Sequence, residues 1–279
     1  MRRTVASRPH TLGVVLALAL VASRAGLLIS QEAREGGGSG SVQESGLEFL
    51  GKNDRGYEEY RHTKTGVELI YIPAGEFSMG SEDGDPDETP VHPVYLDAYL
   101  IGKYEVTVAQ FMAFVSETDR GGRLDSWSKR GRWPKTEKEA TEMQWKPAVY
   151  FGYAVRPEYR DYPMVIVDWC DATAYGAWAE LRLPTEAEWE RAAKGSDNRK
   201  YPWGNDEPDG SQCNYADRRH NELFEPFARG ERTLWSDLDH DDGYKYTSPV
   251  GAFPKGRSAV GAYDMAGNVW EWCSDWYRV

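Results

Sequence analysis

The chain has 279 residues, a net charge of −12, 40% hydrophobic and 28% charged residues, which suits one large domain or two small ones. That balance excludes a disordered chain and a multi-span membrane protein, and so acidic a surface excludes nucleic acid as a partner. Five histidines and three cysteines leave little for a transition-metal site, whereas 11 Trp and 17 Tyr call for a large core or a recognition surface.

Residues 1–25 read as a secretory leader. Arg2, Arg3 and Arg8 precede the apolar run Thr11–Ala22, and small residues follow at Ala22, Ser23 and Ala25. The run is short for a bilayer; the other reading is an uncleaved anchor continuing through Leu27–Ile29, which Arg24 interrupts. No Cys precedes Cys170, so a lipidated N-terminal cysteine is excluded. The expected location is therefore secreted or periplasmic, with an N-terminal membrane anchor as the alternative and no other stable membrane insertion. Residues 26–64, Gly/Ser-rich at their start, read as a flexible linker, and a single domain is expected over 65–279.

Within the domain, GVELIYIPAGEFSMG alternates apolar residues with a period of two and turns at Pro73-Ala74-Gly75, as a strand and hairpin would. Five of the seven residues Glu82–Glu88 are acidic, a solvated loop on its own. VYLDAYLIGKYEV reads as a second strand pair. Thr107–Gln110 is a capping-box pattern, and Val108, Phe111, Met112 and Val115 then share one helical face. Asp168 caps a second helix with Ala172, Tyr175, Trp178 and Ala179 as its stripe. Thr185–Glu188 is another capping box; its helix packs Trp189, Ala192 and Ala193 and stops at Gly195.

Residues 119–162 form a long connection with Trp127, Trp133 and Trp145 among basic residues, and the last third is rich in turn formers. Outside the cell such loops are ordered by calcium or disulfides. No HxxxH, HExxH, His-x-His or P-loop pattern occurs. Gly75–Gly80 fails as a nucleophile elbow because Glu76 stands where Gly is required. Asp237, Asp239 and Asp241 start like an EF-hand loop, but Asp242 and Ser248 stand where it needs Gly and Glu. Cys170, Cys213 and Cys273 form no CxxC. One disulfide plus a buried thiol, three buried thiols, or a partner cysteine outside this chain all remain open.

Four segments together resemble the formylglycine-generating enzyme (sulfatase-modifying factor) family: IPAGEFSMGS at 72–81 with PVHPVYLDAYLIGKYEVTVAQFMAFV at 90–115, VDWCDATAYGAWAELRLPTEAEWERAAKG at 167–195, YPWGN at 201–205, and SPVGAFPKGRSAVGAYDMAGNVWEWCSDWY at 248–277. The resemblance covers the chain from Gly66 onward. It implies an α+β fold related to C-type lectins, low in regular secondary structure, with short helices among small antiparallel sheets. It also implies structural Ca2+. One site would use the Asn214 and Asp242 side chains with the carbonyls of Tyr215 and Tyr244. The other would use the Asp264 and Glu271 side chains with the carbonyls of Gly267 and Val269. All are hard oxygen donors of the kind calcium takes, although Asp264 and Glu271 also suit simple turn caps.

By this resemblance Trp169, Trp178, Trp189, Trp203, Trp270, Trp272 and Trp276 belong mainly to the core. Trp127, Trp133, Trp145 and Trp235 are then the candidates for a recognition surface. Active family members bind Cu(I) through two cysteines in a C-x4-C arrangement after an Arg-Gly-Gly-Ser strand, and oxidise a sulfatase cysteine to formylglycine with oxygen. Neither feature follows the WEW motif here, and none of the three cysteines has the spacing to replace the pair. The expectation is a C-terminally truncated member whose catalytic cysteines lie beyond Val279, inactive as 279 residues, with no catalytic residue assigned. Its partner would be a sulfatase-like protein or peptide. The alternative is a non-catalytic, lectin-like module that binds a protein, peptide or glycan.

Overall fold

The computed structural model describes residues 16–18, 21–22, 46–118, 156–165, 167–197, 199–219 and 236–276. Trp127, Trp133, Trp145 and Trp235, the expected recognition residues, lie outside them. The described strands are β1 (Leu16–Leu18), β2 (Val21–Ala22), β3 (Leu47–Lys52), β4 (Glu58–His62), β5 (Glu68–Ile72), β6 (Gly75–Met79), β7 (His92–Leu96), β8 (Tyr99–Gly102), β9 (Leu181–Arg182) and β10 (Trp270–Trp272). Among the described residues the helices of eight or more residues are α1 (Val108–Glu117), α2 (Trp169–Trp178) and α3 (Glu186–Lys194). The fold is α+β, with short helices around small sheets.

A six-stranded sheet runs β3-β4-β5-β8-β2-β9, while β6-β7 and the parallel pair β1-β10 stand apart. The central strands β5 and β8 are covered on both faces, and their alternation sorts side chains between two cores. Leu69 and Leu100 join Phe111, Phe114 and Tyr175 of α1 and α2. Ile70, Ile72, Tyr99 and Ile101 join Ala192 and Ala193 of α3 with Val260. In the first core Tyr175 stacks on Phe111 at 5.5 Å and meets Phe114 edge-on at 5.7 Å.

All three helices start where the caps place them. The side chains of Thr107, Asp168 and Thr185 accept the N–H of Gln110, Asp171 and Glu188 respectively. On α1 the buried face includes Phe114, and Met112 is only partly covered. Glu188 also takes a bidentate bond from Arg182 at 2.7 and 2.6 Å, tying α3 to β9.

Four expectations need correction. The stretch assigned to a linker as far as residue 64 contains β3 and β4, whose antiparallel pairing begins the sheet at Leu47. The bend at Pro73–Gly75 is not a hairpin, because β5 pairs with β4 and β8 while β6 pairs with β7. The bend is held instead by Arg191, which donates to the carbonyls of Pro73 at 2.8 Å and Gly75 at 3.0 Å. Likewise β7 and β8 follow one another but belong to different sheets.

The fourth correction concerns the seven tryptophans, none of which is fully buried. Trp270 and Trp276 are 72% and 81% exposed. Trp169, Trp178, Trp189 and Trp272 pack on the rims of the cores. Their indole N–H groups explain the rim position, since each needs an acceptor. Trp169 donates to Cys273 O at 3.0 Å, Trp178 to Glu117 at 3.2 Å, Trp272 to Val167 O at 3.0 Å and Trp189 to Glu271.

Two pieces of the residues read as a leader enter the sheets. Val21 and Ala22 of β2 lie between β8 and β9, and Leu16–Leu18 runs beside Trp270–Trp272. A chain beginning at residue 26 would leave facing strand edges unpaired. We expect it to lose about 2 kcal/mol, read as a Tm roughly 4–8 °C below that of the full chain. Equal melting temperatures in calorimetry would show that this pairing contributes nothing.

Candidate functional site

The densest polar geometry lies where the chain on either side of Asp242 meets the turn at 264–269. Asp264 and Asn268 take φ of 55° and 56°, and Gly267 between them takes 85°. Left-handed backbone is accessible to Asp, Asn and Gly, and it turns successive carbonyls away from the regular ladder. The turn is fixed from outside. The Gly251 N–H donates to Asp264 Oδ2 at 2.7 Å, and the Ser248 N–H donates to Asn268 Oδ1 at 2.9 Å. Asn268 donates its own N–H to Asn214 O at 2.8 Å and its Nδ2–H to Glu105 Oε2 at 2.8 Å. A Cβ on Gly267 would come within 2.2 Å of Asn214 O, so only glycine fits this crossing.

Asp242 organises the other side. Its two carboxylate oxygens accept the N–H of Tyr215 at 2.8 Å and of Tyr244 at 2.7 Å, and its own N–H donates to Asp217 Oδ2 at 2.7 Å. The Asn214 side chain donates to Tyr246 O at 2.7 Å. Tyr215, Asp242 and Tyr244 are thus brought into one hydrogen-bonded group, and Asn214, next to Tyr215 in the chain, is tied to Tyr246 instead. Asp264, Gly267 and Val269 follow one another through the turn, and Glu271 sits at the centre of β10, accepting the indole N–H of Trp189. The Asn268–Asn214 bond joins the two sets. Two of the three aspartates that resemble an EF-hand start are otherwise engaged: Asp237 with Tyr215 and His240, Asp241 with Arg218 and Arg219.

Sequence reading missed Glu105 and Ser248. Glu105 is 2% exposed and Ser248 fully buried. Among the described residues, Glu105 Oε1 and Ser248 Oγ have no hydrogen-bond partner. Glu105 lies 163 residues before Asn268, and no local pattern marks it.

Burial sets the electrostatics. It pushes Asp242 up to about 6, with Asp217 and Asp241 adding to the rise against two backbone N–H groups. It pushes Asp264 up to about 6, and Glu271 up to about 7 despite the Trp189 donor. Glu105 is raised well above the carboxylate range by burial, then by the charges of Asp264 and Glu271. For Asp242, Glu271 and Glu105 the charges that act are other carboxylates, whereas for Asp264 burial alone drives the rise. Buried carboxylates of this kind hold protons or take a cation.

The donor set fits calcium, being made of carboxylate, amide and carbonyl oxygens with unsatisfied buried oxygens beside them. Among the described residues no three Asp, Glu, His or Cys side chains alone form a metal cage, so an ion here would also need the backbone carbonyls. The thiols do not fit Cu(I). None of the three forms a disulfide; Cys170 is exposed rather than buried, and Cys273 is only partly covered. Burial pushes Cys213 and Cys273 up to about 12, so both are neutral thiols, and copper(I) binds thiolates.

The site thus lies in a short-helix α+β domain whose loops meet at paired, oxygen-rich turns. The chain belongs to the family of the sulfatase-modifying factor enzyme 1-like domain, whose model matches residues 57–279. It is 38% identical to the formylglycine-generating enzyme of Thermomonospora curvata over 240 residues, covering 75% of this chain and 71% of that protein. It is 36% identical to the formylglycine-generating enzyme of Bos taurus, covering 76% of this chain and 59% of that protein. Among solved structures it is similar to PvdO from Pseudomonas aeruginosa, with a TM-score of 0.54 and 28% identity over 79% of this chain and 75% of that one.

Two outcomes follow. Replacing Gly267 by alanine should destabilise the protein by about 3 kcal/mol, from left-handed strain and the collision with Asn214 O, as measured by urea unfolding. With Asp242 and Asp264 raised to about 6 and Glu271 to about 7, the folded state holds protons that the unfolded state has released. Stability in chelator should therefore fall as pH rises from about 4 to about 7, and calcium should flatten that slope. A chelator series with no such fall would show that these carboxylates keep their ordinary values.

Proposed function

We propose that the domain serves formylglycine-generating chemistry: it receives a cysteine-bearing segment of a sulfatase-like protein, whose thiol becomes an aldehyde. Cu(I) and oxygen supply that oxidation when a thiolate pair holds the metal, and the pair would come from a segment outside these 279 residues. The carrying observation is the family match, which runs through the domain to the strand bearing Glu271 while the chain offers no thiolate pair. In this reading Asn214, Tyr215, Asp242 and Tyr244 hold one structural calcium. Asp264, Gly267, Val269 and Glu271 hold the other. Both keep the loops in place and take no part in the oxidation.

The leader composition supports a secreted or periplasmic location, with an N-terminal anchor as the alternative. Among the described residues no helix is long and apolar enough to cross a membrane.

The exposed aromatics Tyr95, Trp270 and Trp276 favour a second reading, in which the same scaffold binds a peptide or glycan without oxidising it. A cysteine-containing sulfatase peptide, incubated with the purified 279-residue chain, copper and oxygen, should yield no aldehyde above a no-enzyme control by mass spectrometry. Aldehyde formation would sink the assignment of the copper site to another segment. Peptide binding without turnover, retained when the chain is extended by its natural continuation, would favour the binding module.

A further inference from the structure

The calcium reading assigns two side-chain carboxylates to the second site, and the structure contains a third. Glu105 lies between β8 and α1, far in sequence from the turn at 264–269. Its side chain reaches that turn, where Oε2 accepts the Asn268 Nδ2–H at 2.8 Å. Oε1 is buried and finds no hydrogen-bond partner among the described residues. Asp264 and Glu271 are the charged groups that act on it most, both repelling.

Two other carboxylates with little exposure meet a base. Glu188 meets Arg182 at 2.6 Å, and Glu59 meets Lys103 at 2.8 Å. Among the described residues this buried acid faces two more acids and draws no arginine or lysine, so it has no counter-ion when ionised. The carboxylate also takes a hydrogen bond from the Val269 backbone, and neither bond calls for a charge. Holding Asn268 needs one acceptor oxygen, which a buried glutamine would supply without the charge.

We propose that Glu105 is the third carboxylate of the cation site at Asp264 and Glu271. It acts in two ways. Its charge raises the affinity for a hard, oxygen-seeking cation of calcium size. Its bond to Asn268 fixes the left-handed turn whose neighbours Gly267 and Val269 present their carbonyls. The three carboxylates do not form a closed cage by themselves. The open Oε1 is the acceptor that an arriving ion draws in, and the carbonyls of the turn complete the shell. This inference rests on the calcium reading of the turn and is independent of whether the protein oxidises cysteine.

The site carries its own reporter, because the Trp189 indole donates directly to Glu271. Terbium(III), a calcium-sized oxygen-seeking ion, emits when a neighbouring excited indole transfers energy to it. The full chain, stripped with chelator, is titrated with terbium under tryptophan excitation, and the bound terbium is then displaced with calcium. Wild type should give saturable emission, and Trp189→Phe should lose most of it, locating the signal.

Glu105→Gln, which keeps the shape and the acceptor for Asn268, should raise the half-saturating terbium concentration at least tenfold. It should also shrink the calcium-induced gain in Tm. Glu105→Asp, which keeps the charge on a shorter stem, should fall between the two. If the glutamine variant does not fold, as judged by circular dichroism, Glu105→Asn, which also lacks the charge, decides: a half-saturation within about twofold of wild type refutes the charge role. Half-saturation of Glu105→Gln within about twofold of wild type, or no saturable emission from wild type, overturns the proposal.

Discussion

The amide of Asn268 makes the hydrogen bonds on which the loop half of the domain depends. From a left-handed backbone position it reaches three stretches of chain at once. Its side chain spans Ser248 and Glu105, and its main-chain N–H holds Asn214. An amide is suited to this place because it donates and accepts from one planar group and tolerates positive φ better than other polar residues. Gly267 beside it completes the constraint, since the approach of Asn214 O leaves no room for a Cβ. Together the two residues set the distance between the turn at 264–269 and the chain around Asp242. The geometry of one candidate cation site is therefore not independent of the other.

Charge is distributed unevenly around this crossing. Where loops meet helices and strands elsewhere, acids are matched by bases: Arg182 with Glu188, Lys103 with Glu59 and Glu68, Arg257 with Asp54. At the crossing, Glu105, Asp264, Glu271 and Asp242 face other acids instead. Without a counter-ion these groups relieve their repulsion by keeping protons, as their raised values express. A bound dication offers the alternative and removes the need for the protons. The same arrangement explains the thiols. Cys213 and Cys273 are raised first by burial and then by the field of neighbouring carboxylates, so their environment works against soft-metal chemistry.

How much of this was legible in the sequence depended on the range of the interactions concerned. The helix starts at Thr107, Asp168 and Thr185 were readable because a cap and its partner are three residues apart. The alternation of β5 and β8 was readable because it belongs to each strand alone. Pairing was not: the Pro73–Gly75 bend looked like a hairpin until Arg191, more than a hundred residues away, proved to hold both its carbonyls. The linker was drawn too long because its Gly/Ser start masked two strands whose stability comes from β5. The tryptophans were assigned to the core because they lie in the family-like segments, whereas their N–H groups hold four of them at its edge. The eight proposed calcium ligands came from resemblance, and only the structure shows Tyr215 and Tyr244 joined through Asp242. Glu105 and Ser248 carried no local signal, since their significance lies in being buried without a partner.

The site is joined to the regular part of the molecule chiefly through α3. Trp189 packs on the core that α3 shares with β5 and β8, and its indole N–H meets Glu271. One turn earlier on the same helix, the Glu186 N–H donates to Asp275 Oδ2 at 2.7 Å, and the Ser274 N–H reaches the carbonyl of Pro184 at 2.8 Å. The segment from Glu271 to Asp275 is thus clamped along the start of α3, and α3 is itself held by Arg182 and by its grip on the bend before β6. On the opposite side the site's partners, Asn214 and Ser248, belong to irregular chain with no ladder of its own. A rigid wall on one side and loops on the other means that an ion bound at Glu271 and Asp264 would do its ordering on the loops. The sheets and helices would be positioned with or without it.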